Sequence, residues 1–327
     1  VEFRDGIFIR PHPVFWRLVL GISVLYQMGL VLVLFQTKSD ARFLLTFLDD
    51  KLNVPLRERS YADNCDLNLD TLKNQVFDEF VLAHVLGWFG KSIIIRDYWF
   101  CWILSVMFEV MEYSLQHQLP NFAECWWDHW ILDVLVCNWL GIWAGMKTCE
   151  YLEMKTYSWR GIYDIPTYRG KIKRTVQQFT PHSWTRFEWA PTDSLFRYGM
   201  VIFMLAMFLL AELNSFYLKY LLWLEPPHWL NIGRLVFYFF AGIPATREMY
   251  QYISDPECKR VGVQTWLTAA AILTEFMIIL KFSQGEFPES APFHIVVLWT
   301  VFLSAIVGFA LWRFWWSPQH DDKVKDE

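Results

Sequence analysis

The chain has 327 residues, 54% of them hydrophobic and 19% aromatic, with 19 Trp and 28 Phe, and its mean hydropathy is positive. Soluble domains rarely carry so much aromatic surface, so an integral protein with several membrane spans is expected. The net charge of −5 is modest and gives no sign of a nucleic-acid partner.

In chain order, residues 15–35, FWRLVLGISVLYQMGLVLVLF, are long enough to cross a bilayer core, with only Arg17 charged near one end. A loop at 36–74, rich in Asp, follows. Spans are then expected at 80–95, 98–115 and 130–146, the last two joined by the short link PNFAECWWD. The connection 148–195 is basic, with Lys155, Arg160, Arg169, Lys171, Lys173, Arg174 and Arg186. Further spans are expected at 198–213, 235–245, 266–280 and 295–312, the second of these short unless it begins near Leu230. No internal repeat or Gly/Ser-rich linker divides the sequence. The reading is one all-α polytopic membrane domain over 1–327, a bundle of about eight transmembrane helices.

An excess of Lys and Arg marks cytosolic loops, so the 148–195 connection is placed in the cytosol together with Arg4, Arg10, Arg247, Lys259 and Arg260. The 36–74 loop, the PNFAECWWD link and residues 283–289 then fall on the opposite, luminal side. The six cysteines show no CxxC spacing, which argues against a zinc ribbon or a redox pair. Most lie in or beside apolar runs, where a thiol behaves as a small hydrophobe.

Ionisable groups inside a bilayer cost at least ~2.5–3.5 kcal/mol each by insertion scales, so those in the expected spans are candidate functional residues. Glu109 and Glu112, at i and i+3 in FEVMEY, share a helix face. Glu124 and Asp128, at i and i+4, are expected to share another, and a hairpin hinged near Pro120 brings the two pairs together. So many carboxylates cannot all stay ionised without a cation. With the amides of Asn121 and Asn138 they form an all-oxygen set that suits a hard divalent ion, Ca2+ ahead of Mg2+. Asp133 lies five residues past Asp128, about 140° around an ideal α-helix, so it either joins the same ion, if the helix begins after Asp128, or lines a second subsite.

His84, in FVLAHVLGW, is a candidate general base beside that cluster, although a lone His on an apolar face is more often a hydrogen-bonded core group. Lys91 shares its face and is a candidate phosphate holder, snorkelling being the other reading. Glu212 and Asn214 in AELNSFY, and Glu275 with Lys281, either line a headgroup cavity or join helices by hydrogen bonds. Trp126, Trp127 and Trp130 read as an interfacial aromatic belt, or as an aromatic wall for an ammonium headgroup.

The stretch FEVMEYSLQHQLPNFAECWWDHWILDVLVCN resembles the core of the eukaryotic base-exchange phosphatidylserine synthases. So do FIRPHPVFWR at 8–17, IPTYRGKIKR at 165–174, QFTPHSW at 178–184 and AELNSFYLK at 211–219. EYSLQHQLPNF, CWWDHW and RFEW are closer to the second of the two mammalian types. The family has further hydrophobic spans before the RPHP stretch, so the sequence is read as a piece of a longer protein, and Trp139 stands beside Asn138 where a small residue, usually Gly, is expected. The resemblance implies an endoplasmic reticulum enzyme that exchanges the ethanolamine or choline headgroup of a phospholipid for L-serine, with Ca2+ and no ATP. Its functional residues carry over onto His84, Glu109, Glu112, Asn121, Glu124, Asp128, Asp133 and Asn138, and its product feedback points to Arg10. In this reading Glu112, Asn121, Glu124 and Asp128 hold Ca2+, and His84 deprotonates the serine hydroxyl. The implied partners are phosphatidylethanolamine or phosphatidylcholine and L-serine, with a second copy of the chain as a further candidate.

Two other readings predict features that the sequence lacks. A transporter also buries carboxylates but predicts inverted repeats, and none is found. A CDP-alcohol phosphotransferase also clusters acids about a metal, but its DGxxAR…GxxxDxxxD signature is not found.

Overall fold

Helix is what the apolar runs of the sequence dictate, since a segment in lipid must satisfy its own backbone. The computed structural model describes residues 14–56, 65–66, 79–153, 163–177 and 186–316, and contains helices and loops with no strand among them. A long helix covers each expected span: α1 Val14–Leu34, α3 Glu79–Ile95, α4 Tyr98–Leu115, α5 Trp139–Glu153, α7 Leu195–Leu222, α8 Trp229–Ser254, α9 Val263–Phe282 and α10 Phe293–Leu311. Short helices α2, Lys38–Leu45, and α6, Tyr168–Gln177, lie in the two long connections. Four segments are long and apolar enough to cross a membrane: Val14–Leu34, Leu195–Leu222, Val263–Phe282 and Phe293–Trp316. The remaining four are shorter or more polar; among them α3 carries His84 and α4 carries Glu109 and Glu112.

Two boundaries move. The short span expected at 235–245 is part of a 26-residue helix, α8, capped at its start by the His228 side chain accepting from the Leu230 N–H. The span expected at 130–146 is two pieces: Asp128–Asn138 is wound as a π-helix and Trp139–Glu153 continues as α5. The i→i+5 winding is seen in the Trp139 N–H, which donates to the Val134 carbonyl.

Helices α3 and α5 pack with their backbones nearly touching. Gly141 and Gly145 of GIWAG form a small-xxx-small pair facing α3. A Cβ on Gly141 would lie 2.5 Å from the Val85 carbonyl oxygen and 2.8 Å from Trp88 Cβ. One on Gly145 would lie 2.6 Å from Ser92 Cβ and 2.9 Å from the Phe89 carbonyl oxygen. Trp139, the residue expected to crowd Asn138, instead points outward at 44% exposure and stacks on Trp143.

On the other side of the bundle, α1, α7, α8 and α9 are stitched by polar groups that lipid cannot solvate. Arg234 of α8 donates to both oxygens of Glu275 of α9, at 2.8 and 2.6 Å, and Tyr26 of α1 donates to the same carboxylate. Gln27 donates to Thr274 and Gln264 to Ser23 along the α1–α9 seam. Glu275 is therefore Arg234's partner; Lys281 donates instead to the carbonyls of Leu34 and Gln36.

Because the nearest atoms to Gly141 belong to backbone, an added methyl is relieved only by moving α3 from α5. Gly141→Ala is expected to cost about 1–3 kcal/mol, as overpacking does, read as a lower unfolding midpoint of the purified protein in detergent. Gly199→Ala, with nothing within 4 Å of the added carbon, should not lower it. Equal midpoints for both variants would show that the glycine contact does not hold these helices.

Candidate active site

Helix α4 ends at Leu115, and the chain turns through a 3-10 segment, Pro120–Phe122, before reaching the π-helix. Residues 123–125 have no helical winding, so Glu124 is carried by this link and not by a helix. The expectation of a Glu124–Asp128 helical face is thus corrected: the hairpin at Pro120 forms, and the turn itself aims Glu124 inward. The link is fixed by a disulfide between Cys125 and Cys65 of the 36–74 loop, and Trp127 Nε1 donates to the Cys65 carbonyl at 3.3 Å. Trp127 is buried, whereas Trp126 and Trp130 face outward.

Glu109 and Glu112 lie buried on one face of α4, as their spacing requires. The third member of their group is His129, in the first turn of the π-helix. Its Nδ1 lies 2.8 Å from Glu109 Oε2 and 3.8 Å from oxygens of both Glu112 and Glu124. Glu109, Glu112 and His129 offer ligand atoms all within 4.8 Å of one another, so this buried acid–histidine group is able to bind a metal ion. Among the described residues Glu112 pairs with no group but His129. In the link, burial pushes the Glu124 carboxyl up to about 8, and the charge of Asp133 adds to the effect. Three acids sharing one imidazole are short of positive charge, and a divalent cation fits that deficit.

The π winding settles where Asp133 faces. An i→i+5 winding turns by less per residue than an α-helix, which brings Asp133 nearer to the side of Asp128. The 140° separation expected from an α-helix does not apply. Asp133 Oδ1 lies 3.2 Å from His84 Nδ1 of α3, giving a second acid–histidine pair beside the first. Asn138 is fully buried; its Nδ2 donates to Ser105 Oγ at 2.9 Å, while its Oδ1 has no hydrogen-bond partner among the described residues. Asp128 is part-buried and lies within electrostatic reach of Glu124. Asn121 sits half-buried in the 3-10 turn.

Lys91, two turns along α3 from His84, donates to both oxygens of Glu212 of α7, at 2.5 and 2.6 Å. Asn214 belongs elsewhere: its Nδ2 donates to the Ile272 carbonyl at 2.9 Å and to Glu275 at 3.2 Å, joining α7 to α9. Arg10 lies outside the described residues. Two residues of the neighbourhood were missed in the sequence. His129 has no helical spacing to the acids of α4, although it adjoins Asp128 in DHW. Lys219 closes the AELNSFYLK motif on the face of Glu212 seven residues before it; its ammonium lies 4.8 Å from the Phe216 ring and feels the charge of Glu112.

A family model described as Phosphatidyl serine synthase matches residues 11–283. Phosphatidylserine synthase 2 of Homo sapiens is 51% identical over 321 residues, covering 96% of this chain and 66% of that protein. The Danio rerio protein of the same name is 50% identical over 321 residues, with 96% of this chain and 71% of that protein covered. The CDP-diacylglycerol–serine O-phosphatidyltransferase 1 of Arabidopsis thaliana is 42% identical over 324 residues, covering 96% of this chain and 76% of that protein. The chain thus spans about two thirds of the length of the human relative. Over the stretch that carries the two acid–histidine pairs, and well beyond it on both sides, the chain belongs to the phosphatidyl serine synthase family.

Proposed function

We propose that the chain is a phosphatidyltransferase that exchanges the ethanolamine or choline headgroup of a membrane phospholipid for L-serine. The observation that carries this reading is the pairing of His84 with Asp133 directly beside the buried Glu109–Glu112–His129 group. One phosphodiester replaces another, so no nucleotide is needed to drive the reaction. The serine hydroxyl oxygen attacks phosphorus, the bond to the departing alcohol breaks, and that alcohol leaves with a proton. His84, whose Nδ1 lies 3.2 Å from Asp133 Oδ1, is read as the group that accepts the serine proton. Glu109, Glu112, Glu124 and His129 would hold a divalent ion, Ca2+ in this reading, with Asp128 and Asn121 at its edge. Such an ion supplies Lewis-acid polarisation of the phosphodiester. Lys219 is placed to hold a phosphate oxygen.

Exchange, rather than transfer from a CDP-activated lipid, is favoured by the higher identity to the phosphatidylserine synthase 2 proteins. The deciding experiment gives the purified protein labelled serine with phosphatidylethanolamine, phosphatidylcholine or CDP-diacylglycerol as sole donor. Label should enter lipid from a phosphatidylethanolamine or phosphatidylcholine donor, stop with EGTA and return with Ca2+ but not Zn2+. Incorporation from CDP-diacylglycerol alone sinks the exchange reading, and full activity in chelator sinks the metal.

The site is read as luminal, in an eight-span protein of the endoplasmic reticulum. The Cys65–Cys125 disulfide supports this side: it joins two loops that positive-inside counting puts together, and disulfides persist in oxidising compartments. A cysteine introduced at Lys171 should react with an impermeant reagent from the cytosolic side, and one at Asn53 should not. The reverse labelling would place the site in the cytosol.

His84→Gln keeps a hydrogen-bonding side chain but cannot take the serine proton at neutral pH. A general base typically contributes ~10²–10⁴-fold, so exchange should fall at least roughly a hundredfold while folding is retained. Should glutamine support most of the activity, His84 orients a ligand and the proton goes elsewhere.

A further inference from the structure

Among the described residues, two lysine or arginine ion pairs bridge the long helices of this bundle, and they differ in what surrounds them. Arg234–Glu275 is closed: the side chains are 11% and 0% exposed, and Tyr26 and Asn214 also bond the carboxylate. Lys91–Glu212 is open, at 19% and 25% exposure, and among the described residues neither member has another hydrogen-bond partner. The first pair is built as a rivet. The second has the structure of a charge pair that can be exchanged.

Its position is beside the candidate site. Lys91 lies seven residues past His84 on the same face of α3, about 10 Å along the axis. Its ammonium is 5.8 Å from the ring of Phe108, the residue before Glu109, and the charge of Glu212 acts on Glu112. The Trp88 ring, 3.6 Å from Lys91 Nζ, holds the ammonium by its face and leaves its direction of donation adjustable.

Separating two such charges in a low-dielectric site is costly unless each finds a new partner at once. A zwitterion offers both. An amino-acid head carries a carboxylate for the lysine and an ammonium for the glutamate, so entering the pair leaves no charge uncompensated. An amino alcohol satisfies Glu212 only and strands Lys91. We propose that Lys91 and Glu212 form the recognition site for the zwitterionic head of the acceptor, Lys91 binding the α-carboxylate and Glu212 the α-ammonium. This rests on the headgroup-exchange reading and gives that site its preference for an amino acid over ethanolamine, which would otherwise be an equally good acceptor.

The test compares labelled L-serine with labelled ethanolamine as acceptors for the purified protein in defined phospholipid. Lys91→Met should lower kcat/KM for serine at least about tenfold more than for ethanolamine, because only serine loses a charge partner. Glu212→Gln, which leaves Lys91 an oxygen to bond and so keeps the helix contact, should weaken both acceptors, since both carry an ammonium. A merely structural pair predicts equal losses and an unchanged serine-to-ethanolamine ratio in Lys91→Met, and that result overturns the assignment. Inhibition of the unaltered protein supplies a check independent of how the variants fold: L-serine should compete with the labelled acceptor better than L-serinamide or 3-hydroxypropionate, each lacking one charge. Equal competition by all three also overturns it. A protein that transfers no serine at all refutes the exchange reading beneath it, whereas serine transfer with an unchanged ratio refutes only the recognition role.

Discussion

The close contact of α3 with α5 is the constraint on which the rest of the site depends. With no Cβ at 141 or 145, the two backbones approach until α3 carbonyls would touch any added methyl. That fixes both the distance and the rotation of α3 relative to the π-helix that leads into α5. His84 is on one partner and Asp133 on the other, and their 3.2 Å separation is a consequence of this packing. In lipid the drive to pack helices comes from such close van der Waals contact more than from burial of apolar surface, which the acyl chains already provide.

The π-helix is the second constraint. An α-helix through 128–138 would spread Asp128, Asp133 and Asn138 around its circumference, sending at least one acid toward lipid at a cost of several kcal/mol. The wider winding narrows the angle between Asp128 and Asp133, and Asp133 and Asn138 are both buried. The regular spacing of polar residues in DHWILDVLVCN is thus matched to the backbone that carries them. Pi segments are poorer in backbone packing than α-helix, and they concentrate at functional sites because function compensates that loss.

Much of this was legible in the sequence. Apolar length located every long helix, and i,i+3 spacing placed Glu109 beside Glu112, because both rest on local periodicity. What was not legible depends on geometry that periodicity assumes. The 140° argument for Asp128 and Asp133 presupposes an α-helix, and Glu124 lies in a non-helical link, not on a helical face. His129 has no unusual spacing to betray it; only the folded hairpin brings it to Glu109. The Cys65–Cys125 bond joins residues 60 apart in sequence, beyond the reach of any short motif. The helix-joining reading of Glu275 agrees with its bonds to Arg234 and Asn214, but which residues it meets depends on neighbouring helices and not on its own.

These misses share a direction. Several concern a group whose partner is distant in sequence, and in a membrane polar groups of that kind are constrained more severely than in water. A buried acid with no local cation must find one across a helix interface or bind one from outside. For Glu275 the interface supplies Arg234 in a closed, doubly bonded contact. For Glu109, Glu112 and Glu124 it supplies one imidazole, which leaves charge to be met by an ion. For Glu212 it supplies Lys91, which among the described residues has no other hydrogen-bond partner and is only partly buried. The same desolvation cost thus sorts the acids of this chain into those that hold helices together and those left to meet a ligand.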